Sequence, residues 1–249
     1  MIKINVIFLK RKFLVIAAVL LIAILAVPII LCIEMSSSDT FTDPKNGVIV
    51  IDPGHGGIDG GTSRDGVLEK EINLDIAKKL KSILIKQGYK IIMTREEDVS
   101  LESLDSSRKS RHMRDLTARA NIINNSNSQL FLSIHVNSNF KKPATNGAIV
   151  FFNKKYEQNK TLALCIQNQL NNLVVDGKKR STHDPVQAKY YVLDYSNIPG
   201  VIVETGFISN EEERQELVKD SFRQELAKSI SKGVEQYLNE SSKVSLPAS

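Results

Sequence analysis

The chain has 249 residues, of which 42% are hydrophobic and 24% charged, a composition that excludes disordered and low-complexity classes. The length suffices for one well-buried domain with a tail and is too short for two full-sized domains. The net charge of +5 arises largely in residues 1–35, which hold four of the 33 basic residues and one of the 28 acids. The nearly neutral remainder, with few aromatic residues, argues against nucleic-acid binding.

An uncharged apolar run covers residues 13–33 and directly follows Lys10, Arg11 and Lys12. As a helix the run would be about 31 Å long, which matches the hydrocarbon core of a bilayer. The basic flank predicts that residues 1–12 form a cytoplasmic stub and that everything after the run lies outside the cytoplasm. The sequence therefore predicts a transmembrane anchor and an exported domain.

A cleaved signal peptide is the alternative to the anchor. Its apolar region would usually be about 7–15 residues long and would end at small residues. Here the run is longer and ends in Leu-Cys-Ile-Glu-Met, so an uncleaved anchor is favoured, with secretion after cleavage as the alternative. Residues 34–46 are then predicted as a polar linker, residues 47–240 as the exported domain and residues 241–249 as a tail.

Strand-like and helix-like patterns alternate through the exported part. This alternation predicts a single α/β domain with a mainly parallel, twisted sheet of about six strands and helices on both faces. The predicted strands cover residues 48–51, 90–94, 130–134, 147–152, 190–193 and 201–203. The predicted helices cover residues 71–87, 115–125 and 157–173 and a C-terminal segment with the apolar stripe Phe222, Leu226, Ile230, Val234 and Leu238.

Four chemically active side chains fall at one edge of the predicted sheet, where the strands end and ligands collect in open parallel sheets. His55 lies in the Gly-rich turn after the first strand, His135 ends the third strand, and Glu204 ends the last. Glu69 lies just before the first helix, whose N-terminus returns to this edge. Two imidazoles and a carboxylate are a common catalytic zinc set, and a second carboxylate can take a proton from water.

Other readings of these residues are weaker. The Gly-rich turn would suit a phosphate as readily as a metal, but it matches neither GxGxxG nor GxxxxGK[ST]. A buried Glu204 is harder to explain structurally, because an unpaired buried carboxylate costs several kcal/mol. His112 and His183 lie in polar segments and are predicted as surface residues. Cys165 is predicted as a small buried hydrophobe.

Residues 99–114 interrupt the alternation, since serine and arginine dominate there without helical or strand periodicity. A solvated surface loop is the favoured interpretation. The alternative is a lip over the active site that recognises an anionic, polymeric substrate.

Five motifs follow one another along the exported part: Ile51-Asp-Pro-Gly-His-Gly-Gly57, Leu68-Glu-Lys-Glu-Ile-Asn-Leu74, Met93-Thr-Arg95, Ser133-Ile-His-Val-Asn-Ser138 and Val203-Glu-Thr-Gly-Phe-Ile-Ser-Asn210. In these motifs the exported part resembles the zinc-dependent N-acetylmuramoyl-L-alanine amidases of the type-3 group over residues 47–240. The resemblance implies His55, Glu69 and His135 as zinc ligands and Glu204 as the catalytic glutamate. It implies hydrolysis of the amide between the lactyl group of muramic acid and L-alanine in peptidoglycan.

Within that family, the motif at residues 133–138, the single anchored domain and the sequence Asp59-Gly-Gly61 are most similar to the germination-specific spore-cortex amidases. That branch implies cortex maturation, in which removal of the stem peptide precedes formation of the muramic δ-lactam. Some of its members act with an accessory lipoprotein, which adds a candidate partner to peptidoglycan and the membrane. One departure is Asp194, where many relatives have Arg.

Two rival functions would use the same crevice. A zinc deacetylase or peptidase acting on the same polymer would need the same ligands and would differ in its products. A non-catalytic module would hold peptidoglycan there without hydrolysing it, but such a module has no need of Glu204 as a base.

Overall fold

The computed structural model of the chain describes residues 46–175 and 177–244. The predicted cytoplasmic stub (1–12), the predicted anchor (13–33) and almost all of the predicted linker lie outside the described residues, as does most of the predicted tail. Within the described part of the chain, none of the helices is long and apolar enough to cross a membrane.

Strands and helices alternate along the described chain, as the sequence predicts. The strands are β1 (Val48–Pro53), β2 (Ser63–Arg64), β3 (Val67–Leu68), β4 (Lys90–Met93), β5 (Leu130–Asn137), β6 (Ile149–Phe152), β7 (Val174–Val175), β8 (Lys178–Lys179), β9 (Val186–Gln187) and β10 (Gly200–Phe207). The helices are α1 (Glu69–Lys86), α2 (Arg111–Asn124), α3 (Glu157–Asn171), α4 (Tyr191–Tyr195), α5 (Glu211–Leu217) and α6 (Asp220–Val244), with a 3-10 turn at Glu102–Leu104.

A six-stranded sheet runs through the domain in the order β4-β1-β5-β10-β6-β9. Strands β4, β1, β5 and β10 are mutually parallel, β6 is antiparallel to β10, and β9 is parallel to β6. Because parallel neighbours end at the same edge, the residues that follow β1, β5 and β10 come together there.

Helices cover both faces of the sheet, and alternate strand residues supply each face with apolar side chains. Ile49 and Ile51 of β1 belong to the large core under α1, α3 and α6. Val50 belongs to the smaller core under α2 and α4, together with Phe131 and Ile202. The predicted α/β class, the mainly parallel six-stranded sheet and the helices on both faces are therefore confirmed.

Residues 190–193, predicted as a strand, instead lead into helix α4, so that prediction is wrong. The run Tyr-Tyr-Val-Leu is too short for its periodicity to separate a helix from a strand. In the helix, Tyr191 stacks on Tyr195 one turn later with ring centroids 4.1 Å apart, while Val192 and Leu193 are buried. The sixth strand of the sheet is β9, just before this segment.

Two helix starts depend on capping side chains rather than on apolar periodicity. Helix α2 begins at Arg111, four residues before the predicted start, because the Ser110 hydroxyl accepts a hydrogen bond from the Met113 amide at 3.3 Å. Helix α5 was not predicted. Its cap is Asn210, whose side chain accepts from the Glu213 amide at 3.0 Å. The Asn before a run of glutamates was the available signal for that helix.

Helices α3 and α6 approach each other closely at Gly233. A Cβ on Gly233 would lie 2.5 Å from Ile166 Cα and 2.8 Å from Ile166 N, which are backbone atoms that cannot swing away. We expect Gly233→Ala to lower the free energy of unfolding by about 1–3 kcal/mol, although alanine favours helix by about 1 kcal/mol. Denaturant unfolding of the full-length chain measures this. Lys232→Ala, at the exposed neighbouring position, is the control, and an equal effect of the two changes would contradict the packing argument.

Candidate active site

The C-terminal edge of the sheet brings the four predicted site residues together. His55 follows β1, and β1 pairs with β5, which carries His135. Glu204 on β10 is the direct register partner of His135. Glu69 is the first residue of α1, where the sequence predicts it just before the helix. Three neighbouring strands and one helix N-terminus therefore build the site.

His55, Glu69 and His135 form a compact cluster, with one potential ligand atom from each lying within 4.8 Å of the others. Glu69 Oε1 lies 3.2 Å from His55 Nε2 and 3.0 Å from His135 Nδ1. The buried Glu69 carboxylate also accepts hydrogen bonds from the backbone amides of Thr62 (2.8 Å) and Val136 (3.2 Å). Two imidazole nitrogens and a fixed carboxylate oxygen thus converge on one point.

The charged groups of this cluster shift the pKa values of His55 and Glu69 so that both favour the ionised form. Burial alone lowers the pKa of His55, but the hydrogen bonds and charges of Glu69 and Asp59 outweigh it and raise that pKa to about 9. Burial likewise raises the pKa of Glu69, but His135 and His55 outweigh it and hold that pKa well below its usual range. A carboxylate that stays ionised between two imidazoles is a favourable place for a cation.

Asp59 fixes the orientation of the His55 ring. Its Oδ2 lies 2.9 Å from His55 Nδ1, and its Oδ1 accepts from the Gly61 amide at 3.1 Å. The backbones of Gly56 and Asp59 also exchange two hydrogen bonds, of 2.9 and 3.1 Å. With Nδ1 engaged in this way, His55 turns Nε2 toward Glu69. The sequence did not assign Asp59 a role, and the available signal was a carboxylate four residues after a histidine in a Gly-rich turn.

The His55 turn is held from beneath by Arg119, a residue whose role the sequence also did not reveal. His55 has a φ of +61°, a left-handed conformation that is unfavourable for a residue with a side chain. Arg119 is 2% exposed and donates to the carbonyl oxygens of His55 (2.6 Å) and Pro53 (2.7 Å) and to the Asp52 carboxylate (2.7 Å). Arg95 donates to the Pro53 carbonyl from another side at 3.0 Å.

Two glycines are required by close approaches within this site. A Cβ on Gly54 would lie 2.1 Å from His135 Cε1, and a Cβ on Gly61 would lie 2.6 Å from Glu69 Oε2 and 2.7 Å from His55 Cδ2. Any larger residue would displace the side chains of the cluster. The Gly-rich turn therefore makes room for the histidines and Glu69.

Glu204 differs from Glu69 in its surroundings. Its Oε2 is inaccessible to solvent and makes no hydrogen bond within the described part of the chain. Burial raises the pKa of Glu204 to about 7, the nearby Glu69 charge raises it further, and His135 and His55 oppose the rise. A carboxyl group that exchanges a proton near neutral pH is suited to general acid–base chemistry.

These four residues line a cavity of about 360 Å³. His112, predicted as a surface residue, is exposed but also lines this cavity. His183 is half-buried, with Nε2 lying 2.7 Å from the Asn146 carbonyl oxygen. Cys165 is buried as predicted, and burial raises its pKa to about 11.

The sequence profile of the N-acetylmuramoyl-L-alanine amidase family matches residues 49–236. A germination-specific N-acetylmuramoyl-L-alanine amidase of Bacillus subtilis is 34% identical over 213 residues, which cover 83% of this chain and 88% of that protein. AmiA, an amidase of Escherichia coli, is 31% identical over 234 residues, covering 77% and 76%. The CwlD amidase of Clostridioides difficile, solved in complex with the GerS lipoprotein, superposes with a TM-score of 0.70 at 36% identity, covering 78% of this chain and all of that one.

The chain belongs to the N-acetylmuramoyl-L-alanine amidase family, as its five motifs indicated. It is therefore an amidase, a hydrolase that acts on peptidoglycan.

Glu204 is expected to lower the stability of the domain at neutral pH. Its pKa in the folded protein, about 7, lies above the ordinary value of 4.5, so ionisation opposes folding. This penalty is nearly absent below pH 4.5 and nearly complete by pH 8, where it amounts to about 3 kcal/mol. We expect Glu204→Gln to be more stable than the parent chain by that amount at pH 8, and the gain to shrink as the pH falls toward 4.5. Denaturant unfolding in the presence of a chelator measures it.

Glu97→Gln, which alters an exposed carboxylate, is the matched control for this measurement. A gain for Glu204→Gln that stays constant between pH 4.5 and pH 8 would contradict the raised pKa.

Proposed function

We propose that the chain is a zinc-dependent N-acetylmuramoyl-L-alanine amidase with His55, Glu69 and His135 as its zinc ligands. The observation that carries the proposal is the convergence of their three donor atoms within 4.8 Å, beside a Glu204 Oε2 that has no hydrogen-bond partner among the described residues. Two imidazole nitrogens with one carboxylate oxygen suit catalytic zinc, whereas magnesium and calcium prefer oxygen donors. The hydrogen bond that the other nitrogen of His55, Nδ1, donates to the Asp59 carboxylate is typical of zinc-binding histidines.

The chemistry divides between the metal and Glu204. Zinc bound by the three ligands would supply a Lewis acid that polarises a carbonyl oxygen and lowers the pKa of water to about 7. Glu204 takes a proton from the attacking water and returns it to the nitrogen of the departing L-alanine, so the lactyl–alanine amide is cleaved. Its pKa of about 7 allows both transfers near neutral pH. Asp59 and Arg119 keep His55 in place while this happens.

The biological setting that we propose is spore-cortex maturation, in which peptide removal precedes formation of the muramic δ-lactam. The germination-specific relative, matched over most of both chains, supports this setting. The similarity to an amidase solved with a lipoprotein supports an accessory lipoprotein as a partner. The uncharged run at residues 13–33 and its basic flank support a membrane anchor with the domain on the cell-wall side or in the forespore intermembrane space, or secretion after cleavage.

The full-length chain, loaded with zinc and incubated with purified peptidoglycan, is expected to release stem peptides with free L-alanine amino termini. Glu204→Gln should keep its zinc and lose about 100-fold or more in kcat, because proton transfer contributes about 10²–10⁴-fold. Mass spectrometry of the muropeptides measures product release and zinc quantification measures the bound metal, with Glu97→Gln as the control.

Three other outcomes would contradict the amidase. New amino groups on the sugar would indicate a deacetylase, and cleavage between amino acids would indicate a peptidase. Zinc-dependent binding of peptidoglycan without products would indicate a binding module.

Asp59 is expected to control zinc affinity through the His55 ring. Asp59→Ala should raise the zinc Kd by about 10–100-fold, the usual effect of losing a partner of a metal-binding histidine. Asp59→Asn keeps a hydrogen-bond acceptor without the charge, so its zinc Kd should lie between those of the parent chain and Asp59→Ala. Competition with a chromophoric chelator measures the Kd. Asp184→Asn, at an exposed position, is the control, and an unchanged Kd in Asp59→Ala would remove Asp59 from this role.

A further inference from the structure

The catalytic cleft has two unlike walls. Thr62 and Ser138 form a polar wall, with their hydroxyl oxygens 3.2 Å apart. The other wall comes from helices α2 and α4 and is largely apolar or aromatic; it includes Leu116, Tyr190 and Tyr191. A substrate that straddles the reacting atoms therefore meets hydroxyl groups on one side and apolar side chains on the other.

His112 stands at the outer end of the second wall, one helical turn before Leu116. The segment that leads to it is folded onto α2. The Leu101 amide donates to the Asp115 carboxylate at 2.6 Å. The Arg114 guanidinium binds the carbonyl oxygens of Glu102 at 3.3 Å and of Lys109 at 3.0 Å. The segment is therefore a fixed lip beside the cleft.

The basic residues of this lip fall into two groups. Arg114 holds the backbone, and Lys109 Nζ donates to the Thr117 hydroxyl at 3.1 Å. The side chains of Arg108, Arg111 and His112 make no hydrogen bond or ion pair with any described residue. Arg108 and His112 are exposed and Arg111 is half-buried. These three residues, named the basic rim, lie at the N-terminus of α2, whose dipole adds positive charge there.

We propose that the basic rim binds carboxylates of the peptidoglycan stem peptide, which places the peptide side of the scissile amide along α2 and the sugar side against Thr62 and Ser138. The inference rests on the proposed amidase function and extends it to the orientation of the substrate. The apolar wall suits the methyl group of L-alanine next to the reacting atoms. The arginine forks beyond it suit the carboxylates that follow in the peptide.

The test compares two matched muramoyl-peptides, one with free peptide carboxylates and one with all of them amidated. For the full-length chain, Arg108→Gln/Arg111→Gln should lower kcat/KM for the acidic substrate by about tenfold, mainly through KM, because charge-assisted hydrogen bonds are lost. The amidated substrate should change by less than about twofold. Lys86→Gln/Lys232→Gln removes the same charge from exposed positions on α1 and α6 and should leave both substrates unaffected.

An equal loss on both substrates, or no loss on either, would overturn the proposal. If the parent chain cleaves neither substrate, the amidase function itself fails, and calorimetric binding of the acidic and amidated stem peptides then decides the role of the rim. A preference of the parent chain for the acidic peptide that disappears in Arg108→Gln/Arg111→Gln would support carboxylate binding. The absence of any preference would overturn it.

Discussion

The buried ion pair between Arg119 and Asp52 is the interaction on which the site depends. Unpaired charges at exposures of 2% and 1% would cost several kcal/mol each, so the pair must be closely satisfied. Asp52 also accepts from the hydroxyls of Thr94 (2.6 Å) and Ser133 (2.7 Å). Burial raises its pKa, but the Arg119 charge and these hydrogen bonds outweigh burial and hold the pKa below its usual range. Because the network joins β1, β5, α2 and the end of β4, contacts from several elements maintain the left-handed conformation of His55.

Two glutamates at one edge of the sheet acquire different chemistry from their surroundings. The Glu69 carboxylate accepts hydrogen bonds from two backbone amides and the Asn73 side chain, and it lies against the His135 imidazole. These partners keep the carboxylate ionised and fixed. Glu204 Oε2 has no such partner among the described residues, and burial raises its pKa toward neutrality. Carboxylates whose environments push their pKa values apart commonly divide into a charge-holding group and a proton-transfer group. This contrast supports the proposed division of roles within the site.

The sequence predicted what local patterns and strand topology determine. Long apolar runs gave the buried strands, and parallel topology then placed His55, His135 and Glu204 at one edge. The strand prediction at residues 190–193 was wrong because four residues are too few for their periodicity to distinguish a strand from a helix. Arg119 escaped notice for another reason. It acts on the carbonyl oxygen of His55, 64 residues away, and a contact to the backbone leaves no mark in the residue types that it connects.

In the proposed orientation, the wall formed by α2 and α4 bounds the peptide side of the cleft. Asp194 of α4 does not line the cleft, because its Oδ1 accepts a hydrogen bond from the Asn153 side chain at 3.0 Å. Helix α2 lies directly beside α4, with the Thr117 and Tyr191 hydroxyl oxygens 3.0 Å apart. On the proposed orientation, the positive charge of this wall comes from the basic rim of α2. The residues at the edge of the sheet then determine which bond is cleaved, and the wall of α2 and α4 determines how the anionic peptide binds.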